Sequence, residues 1–346
     1  MRAILVIAAV IGVAAGAAVA GVRYTARNDH AVVKRLPAID PSPAIVRPAA
    51  DGSDTSAGSI DADEAAPRAA APALVPAGPE RSPGCGAGVA AGDSIEQVET
   101  GQGVRPYRLH VPGGYRMAVP APLVLNFHGF GRSALEQETY SQLVPVSERE
   151  GFILVTPEGS GYPPAWDIPG IYAENGYDDV NFVVVLLAQL DAELCIDRAR
   201  IFAAGLSNGA EMAALLACRH PEIFAAVAPV AGVIYSDCDE GAVPVIAFHG
   251  TNDYNVPFEF APPALASWGR HNGCEPGMHD SQVSANVTRW AFEGCDGADV
   301  VLYAVDGGGH TWPGAEDEAG GVGATTHEIG ASELMWEFFA AHPKQD

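Results

Sequence analysis

The segment Arg200-Ile201-Phe202-Ala203-Ala204-Gly205-Leu206-Ser207-Asn208-Gly209-Ala210-Glu211-Met212-Ala213 leaves this chain few ways to fold. Its apolar run, Ile201–Ala204, reads as a buried strand. Gly-x-Ser-x-Gly follows at 205–209, and an Ala/Leu-rich stretch of high helix propensity comes straight after it. Strand, sharp turn and helix in that order are the context of a nucleophile elbow. Without Cβ atoms at Gly205 and Gly209, strand and helix can approach closely while Ser207 takes a strained conformation at the tip. The Ser207 hydroxyl would then stand at a helix N-terminus, where free N–H groups favour developing negative charge. A Gly-rich chain also produces this pattern by chance, and 39 of the 346 residues are glycine, so the other strand ends must carry matching chemistry.

The ends of the chain bound the domain. Met1–Ala20 has one early Arg2, then an apolar stretch closing on Ala18-Val19-Ala20, the form of a secretory signal peptide. The run approaches spanning length, so an uncleaved N-terminal anchor is the competing reading. Residues 21–84 are expected to be a disordered Ala/Pro-rich spacer, since from Asn28 to Pro83 there is no aromatic residue and no periodicity. Residues 85–346 suit one α/β domain.

A formal charge of −24 argues against nucleic acid, anionic lipid or strongly anionic polymers as partners. Six cysteines fit up to three disulfides in an oxidising compartment. Cys274 and Cys295 are the suggested pair because they share one irregular segment. No zinc spacing is present, and His327-Glu328 lacks the second histidine of HExxH. No metal and no organic cofactor is expected, and no membrane contact beyond the N-terminal segment.

Apolar runs alternate with helical patterns after Cys85. Expected strands are Tyr107–Val111, Leu123–His128, Phe152–Pro157, Ile201–Gly205, Ala225–Val230, Val245–His249 and Val300–Val305. Expected helices are Leu135–Glu150, Asp178–Leu194, Glu211–Arg219, Pro263–Asn272 and Ala331–Ala340. Asp178 or Asp179 would cap the second helix, with Phe182, Val185, Leu186 and Leu190 facing the core. Runs that are continuously apolar imply strands buried on both faces, hence a mostly parallel central sheet with helices on each side. Ligands of such a sheet bind beyond the carboxyl ends of its strands.

Three residues meet that condition. Ser207 follows one strand directly. Asp253, in His249-Gly250-Thr251-Asn252-Asp253, lies just past the strand Val245–His249, placed to accept a hydrogen bond from an imidazole. His310 stands on the loop Gly307-Gly308-Gly309-His310-Thr311-Trp312-Pro313-Gly314 after Val300–Val305, suited to act as general base. Taken singly, each has a bland explanation as a turn or surface residue; the three together, each just past a strand end, do not. The oxyanion hole would use the backbone N–H of Asn208 and one from His128-Gly129-Phe130-Gly131, with Phe130 preferred and Gly131 the alternative. His128 and His249 read as loop braces. Tyr162, Trp166, Tyr172 and Trp312 are candidate substrate-binding rings, though each could equally pin a loop. Trp268 reads as core, and Glu158 and Glu316-Asp317-Glu318 as solvated.

These residues resemble the secreted esterase/poly(3-hydroxybutyrate) depolymerase family, which includes feruloyl esterases of carbohydrate esterase family one. GLSNGAEMA at 205–213, HGTND with VP at 249–257 and GGGHTWPG at 307–314 carry the resemblance. HGFGRSA at 128–134, PEG at 157–159 and DDVNF at 178–182 extend it. It implies an α/β-hydrolase whose Ser–His–Asp triad falls on Ser207, His310 and Asp253. It also implies a carboxylic-ester substrate: plant cell-wall phenolics, acetylated sugars or polyhydroxyalkanoates. HTWPG looks closer to the feruloyl-esterase-like branch, with poly(3-hydroxybutyrate) depolymerase as the alternative. A serine peptidase of the same fold and a non-catalytic surface-binding protein are the remaining readings.

Overall fold

The computed structural model describes residues 81–169, 176–234, 238, 241–316 and 320–344. The expected leader over 1–20, and the expected spacer up to residue 80, lie outside the described residues. At the end of that spacer the backbone is tied down: Ser82 N–H donates to Ile196 O at 3.1 Å and Gly84 N–H to Asp191 O at 3.0 Å.

The described strands form one mixed sheet. They are β1 (Gly92–Thr100), β2 (Gly103–Val111), β3 (Ala121–Phe127), β4 (Ile153–Pro157), β5 (Ile196–Leu206), β6 (Ala226–Val230), β7 (Val245–Gly250), β8 (His279–Ser284), β9 (Val287–Ala291) and β10 (Val300–Val305). Their order is β1-β2-β4-β3-β5-β6-β7-β10-β9-β8. From β4 to β10 the neighbours run parallel. At the edges β1–β2 and β8–β9 add antiparallel hairpins. The helices are α1 (Ala134–Ser141), α2 (Leu143–Glu150), α3 (Asp179–Glu193), α4 (Asn208–Arg219), α5 (Ala261–His271) and α6 (Ala331–Ala341).

Alternation along each central strand builds two cores. Leu123, Leu125, Phe127, Ile201, Ala203, Val245 and Leu302 face α3, α4 and α5 through Phe182, Leu186, Met212 and Trp268. Val124, Phe202, Ala204, Ile246, Phe248 and Val301 face α1, α2 and α6 through Tyr140, Leu143, Met335 and Phe339. Both faces are covered, which is why these strands carry no polar stripe.

Several elements differ from expectation. β1, β8 and β9 were not foreseen, because edge strands need not be apolar: β8 reads His-Asp-Ser-Gln-Val-Ser and is almost wholly exposed. The single helix expected over Leu135–Glu150 is two, broken at Gln142 in a left-handed conformation (φ 55°). Pro145 is the cause legible in retrospect, since a residue without an N–H fits only in a helix's first turn. At α3, Asp178 is the cap and accepts from Asn181 N–H at 3.0 Å. Val185, expected on the core face there, is only partly buried, while Val183, Val184 and Leu187 are buried. The disulfides are Cys85–Cys195, Cys218–Cys238 and Cys274–Cys295. The last is the expected pair, but the segment it closes is the β8–β9 hairpin, not an irregular one.

The tightest packing lies where α4 crosses the sheet. A Cβ at Gly209 would stand 2.2 Å from the Phe127 carbonyl oxygen, and one at Gly205 would stand 2.4 Å from the Gly209 carbonyl. Backbone cannot yield there as a side chain could. Gly209→Ala is therefore expected to cost at least about 3 kcal/mol, read as a lower urea midpoint or as loss of soluble protein.

Candidate active site

Strand register brings the proposed catalytic residues to one rim. Phe127 pairs with Gly205, Leu206 with Val230, Val230 with Phe248 and Gly250 with Val305. The loops that leave these positions carry His128–Gly131, Ser207, Asp253 and His310.

Ser207 has φ 57° and ψ −122°, a conformation costly for a residue with a side chain. Surrounding bonds hold it there: its N–H donates to Val230 O at 2.9 Å, and its carbonyl accepts from Glu211 N–H at 3.0 Å. Gly232 keeps the far side open, for a Cβ there would meet Ser207 O at 2.5 Å. Ser207 is the N-cap of α4 without using its side chain, so the hydroxyl is not spent on capping.

Asp253 and His310 meet directly. His310 Nδ1–H donates to Asp253 Oδ2 at 2.7 Å, with the Asp253 side chain fully buried. The other oxygen, Oδ1, accepts the N–H groups of Asn255 and Val256, each at 2.9 Å. A carboxylate can only accept, so His310 is the tautomer with Nδ1 protonated, and Nε2 is the nitrogen left to exchange a proton.

Two loops brace this pair. Thr251 N–H donates to Val305 O and Asn252 N–H to Gly308 O. A Cβ at Gly250 would lie 2.2 Å from Gly308 O, so close passage of the two loops depends on that glycine. His310 is also bridged to Val322, with N–H to O distances of 2.8 and 2.9 Å. The Gly-rich 320–323 run that serves this role carried no signal in the sequence beyond its glycines.

His249 lies beneath the pair. Its Nε2 is 2.8 Å from Val256 O and 3.4 Å from Asp253 Oδ2. Burial holds the His249 pKa below its ordinary value, which keeps the ring neutral. His128 is likewise buried with a lowered pKa, chiefly from desolvation. Its Nδ1–H donates to Gly129 O and its Nε2 accepts from Gly159 N–H, both at 2.8 Å. Both histidines brace backbone.

The oxyanion side is more constrained than the sequence suggested. Asn208 is fully buried in the first turn of α4. Its side chain clamps the Trp166 backbone in both directions, accepting from Trp166 N–H at 2.7 Å and donating to Trp166 O at 3.1 Å. Gly131 N–H is committed to Pro164 O at 2.7 Å, which removes it as the alternative donor. Phe130 sits between that bond and Gly129, where a Cβ would be 3.4 Å from Ser207 Cβ.

The ring assignments need correction. Trp166 is fully buried, its indole N–H donating to His128 O at 2.8 Å. Trp312 is buried too and donates to Ser332 Oγ at 3.0 Å. Both support loops from within and present no face to a substrate. Tyr162 is 99% exposed, and Tyr172 lies outside the described residues. Tyr254, missed by the sequence reading, is 87% exposed beside Asp253. Trp268 is core, as expected. Glu158 is not simply solvated: its carboxylate accepts from Ala134 N–H at 2.9 Å at the start of α1. Of the acidic run, only Glu316 lies within the described residues, and it is exposed.

Behind the site lies a buried charge pair. Arg105 of β2 meets Asp179 at 2.7 Å and donates to Glu158 O at 2.7 Å, with its guanidinium 3.8 Å from the Phe182 ring centroid. The second Asp179 oxygen accepts from Asp167 N–H at 2.7 Å and Ser160 Oγ at 3.2 Å. The pair thus pins both ends of the loop bearing Trp166. Among the described residues, no group of three or more His, Cys, Asp or Glu side chains could hold a metal. One cleft, of about 560 Å³, opens near Pro221, Pro244 and Lys344 at the amino ends of β6 and β7, away from the triad. Asp179→Ala should strand the Arg105 charge and destabilise by about 3–5 kcal/mol, measurable by chemical denaturation.

Residues 105–252 match the family model for esterase PHB depolymerase. Feruloyl esterase C of Emericella nidulans is 29% identical over 279 residues, covering 78% of this chain and 94% of that protein. A protein of Nocardia uniformis subsp. tsuyamanensis named "Putative esterase NocK" is 30% identical over 274 residues, covering 68% of this chain and 78% of that protein. Acetyl xylan esterase from Aspergillus awamori superposes with a TM-score of 0.56 at 16% identity, over 72% of this chain and 99% of that one, which fixes the fold. The chain belongs to the esterase PHB depolymerase family and is a carboxylic-ester hydrolase with the α/β-hydrolase fold.

Proposed function

We propose that the protein is an exported serine esterase that cleaves feruloyl or acetyl esters of plant cell-wall polysaccharide through an acyl-enzyme. The observation that carries the mechanism is the buried 2.7 Å hydrogen bond from His310 to Asp253, at the rim where Ser207 leaves β5. Ser207 Oγ attacks the ester carbonyl carbon and its proton passes to His310 Nε2. The oxyanion is held by the amides of Asn208 and Phe130, and Asp253 stabilises the imidazolium. As the tetrahedral adduct collapses, His310 returns the proton to the departing alcohol oxygen. Water then attacks the acyl carbon by the same route, releasing the acid and restoring Ser207.

Support for the substrate class comes from two sides. Relatives named feruloyl esterases align over most of this chain. Exposed rings stand on the loops around Ser207: Phe130 after β3, Tyr162 after β4 and Tyr254 after β7. Aromatic faces of this kind suit a phenolic acyl group or a sugar ring. The same exposed rim favours poly(3-hydroxybutyrate) or its oligomers as the second reading, since an extended polyester needs an open approach. Export accords with the three disulfides and the apolar N-terminal run.

Purified protein should hydrolyse methyl ferulate faster than an acetylated xylo-oligosaccharide or a 3-hydroxybutyrate oligomer. Ser207→Ala should lower kcat by about 10⁶-fold and abolish fluorophosphonate labelling. Faster turnover of the hydroxybutyrate oligomer moves the depolymerase reading to first place. Wild-type protein that takes up no label would overturn the mechanism in favour of a binding protein.

A further inference from the structure

One helical turn beyond the nucleophile, α4 carries a carboxyl that the acyl-enzyme cycle leaves unused. Glu211 is buried, and its backbone N–H closes the first turn of α4 onto Ser207 O at 3.0 Å. Its Oε2 has no hydrogen-bond partner among the described residues. The side-chain hydrogen bond it does make is with Asn208. Asn208 in turn clamps Trp166, and Trp166 braces His128 O. Glu211 therefore stands at the base of a run of contacts that reaches both loops of the oxyanion site.

Among the described residues, no cation acts on this carboxyl. Helix α4 packs on β3, β5 and β6. The residues of β3, of β6 and of Ile201–Leu206 in β5 are all non-titratable. Asp197, Arg198 and Arg200 lie toward the opposite end of β5. The loop side contributes His128, with both ring nitrogens committed, together with Glu158 and Asp167. The rim also holds His310 and Asp253, which are committed to each other, and His249 beneath them, bonded to Val256 O.

We propose that Glu211 is a positioning residue for ester hydrolysis: as the neutral acid it holds Asn208, and through it the oxyanion donor and the Trp166 loop, and its ionisation disables the site. The proposal rests on the roles given above to Ser207 and Asn208. Burial pushes the Glu211 carboxyl up to about 8, against a smaller opposing effect of the Asn208 hydrogen bond. The sign follows. Below about 8 the group is neutral and the site intact. As pH rises through that value, a carboxylate forms beneath the place where the oxyanion must develop, so activity falls.

The test compares wild type, Glu211→Gln and Glu211→Ala on a short 4-nitrophenyl ester from pH 6 to pH 10, with fluorophosphonate titration of active Ser207 in each. Wild-type kcat should be about tenfold lower at pH 9 than at its plateau, the fall a single ionisation near 8 produces. Glu211→Gln, which cannot ionise, should rescue the alkaline limb and hold its own plateau through pH 9. Glu211→Ala, lacking the contact to Asn208, should lose kcat at all pH values with little change in KM. Labelled wild type and Glu211→Gln with superimposable pH profiles would overturn the proposal alone. Absence of label in wild type would instead remove the Ser207 assignment, and this proposal with it.

Discussion

The active-site architecture depends on the absence of two Cβ atoms. With glycine at 205 and 209, the first turn of α4 lies against the backbone that ends β3, so close that the Phe127 carbonyl occupies the space of a side chain. That contact brings the amide of Asn208 and the His128–Gly131 loop to the same place. It also forces the connection between β5 and α4 to turn within one residue, which is why Ser207 has φ 57°. The strain belongs to the serine but is maintained by α4, β6 and Gly232 around it.

The parallel register extends this order across the sheet. Because β7 and β10 are aligned residue for residue, the loops after Gly250 and Val305 emerge side by side and bond to one another. Asp253 and His310 can then share a short hydrogen bond although 57 residues separate them. The carboxylate also has His249 within 3.4 Å, yet burial keeps that ring neutral, so His310 faces the undivided charge of Asp253. Neutral histidines below and to the side of the site brace backbone, and only the ring at the rim is left to carry a proton.

What the sequence revealed, and what it did not, follows from the physics of each element. Central strands buried on both faces must be continuously apolar, and β3, β4, β5, β6, β7 and β10 were legible for that reason. The edge strands β1, β8 and β9 obey no such rule. The helix break at Gln142 was masked because glutamine is a good helix former, although Pro145 marked it. Gly-x-Ser-x-Gly, Asp253 and His310 were legible because each is a chemically distinctive residue just past an apolar run. Glu211, Arg105 and Asp179 were not, since their meaning is in what lies across from them. A buried carboxyl with a cationic partner and one without look alike in a sequence.

That contrast divides the support of the site between two devices. Arg105 and Asp179 are opposite charges in contact, so burial strengthens their attraction and they can hold the Trp166 loop from outside. Glu211 has no counter-charge among the described residues, so burial favours the uncharged acid, which holds Asn208 from the helix side. Between them Trp166 is enclosed completely, and a ring enclosed by its own loop cannot also contact a substrate. Trp312 is withdrawn from the surface in the same way by Ser332. The rings exposed around the site are others, Tyr162, Tyr254 and Phe130. Each stands on a loop whose neighbouring residues are fixed by the sheet. In such an arrangement a ring at the rim can change without disturbing the bonded pair Asp253 and His310.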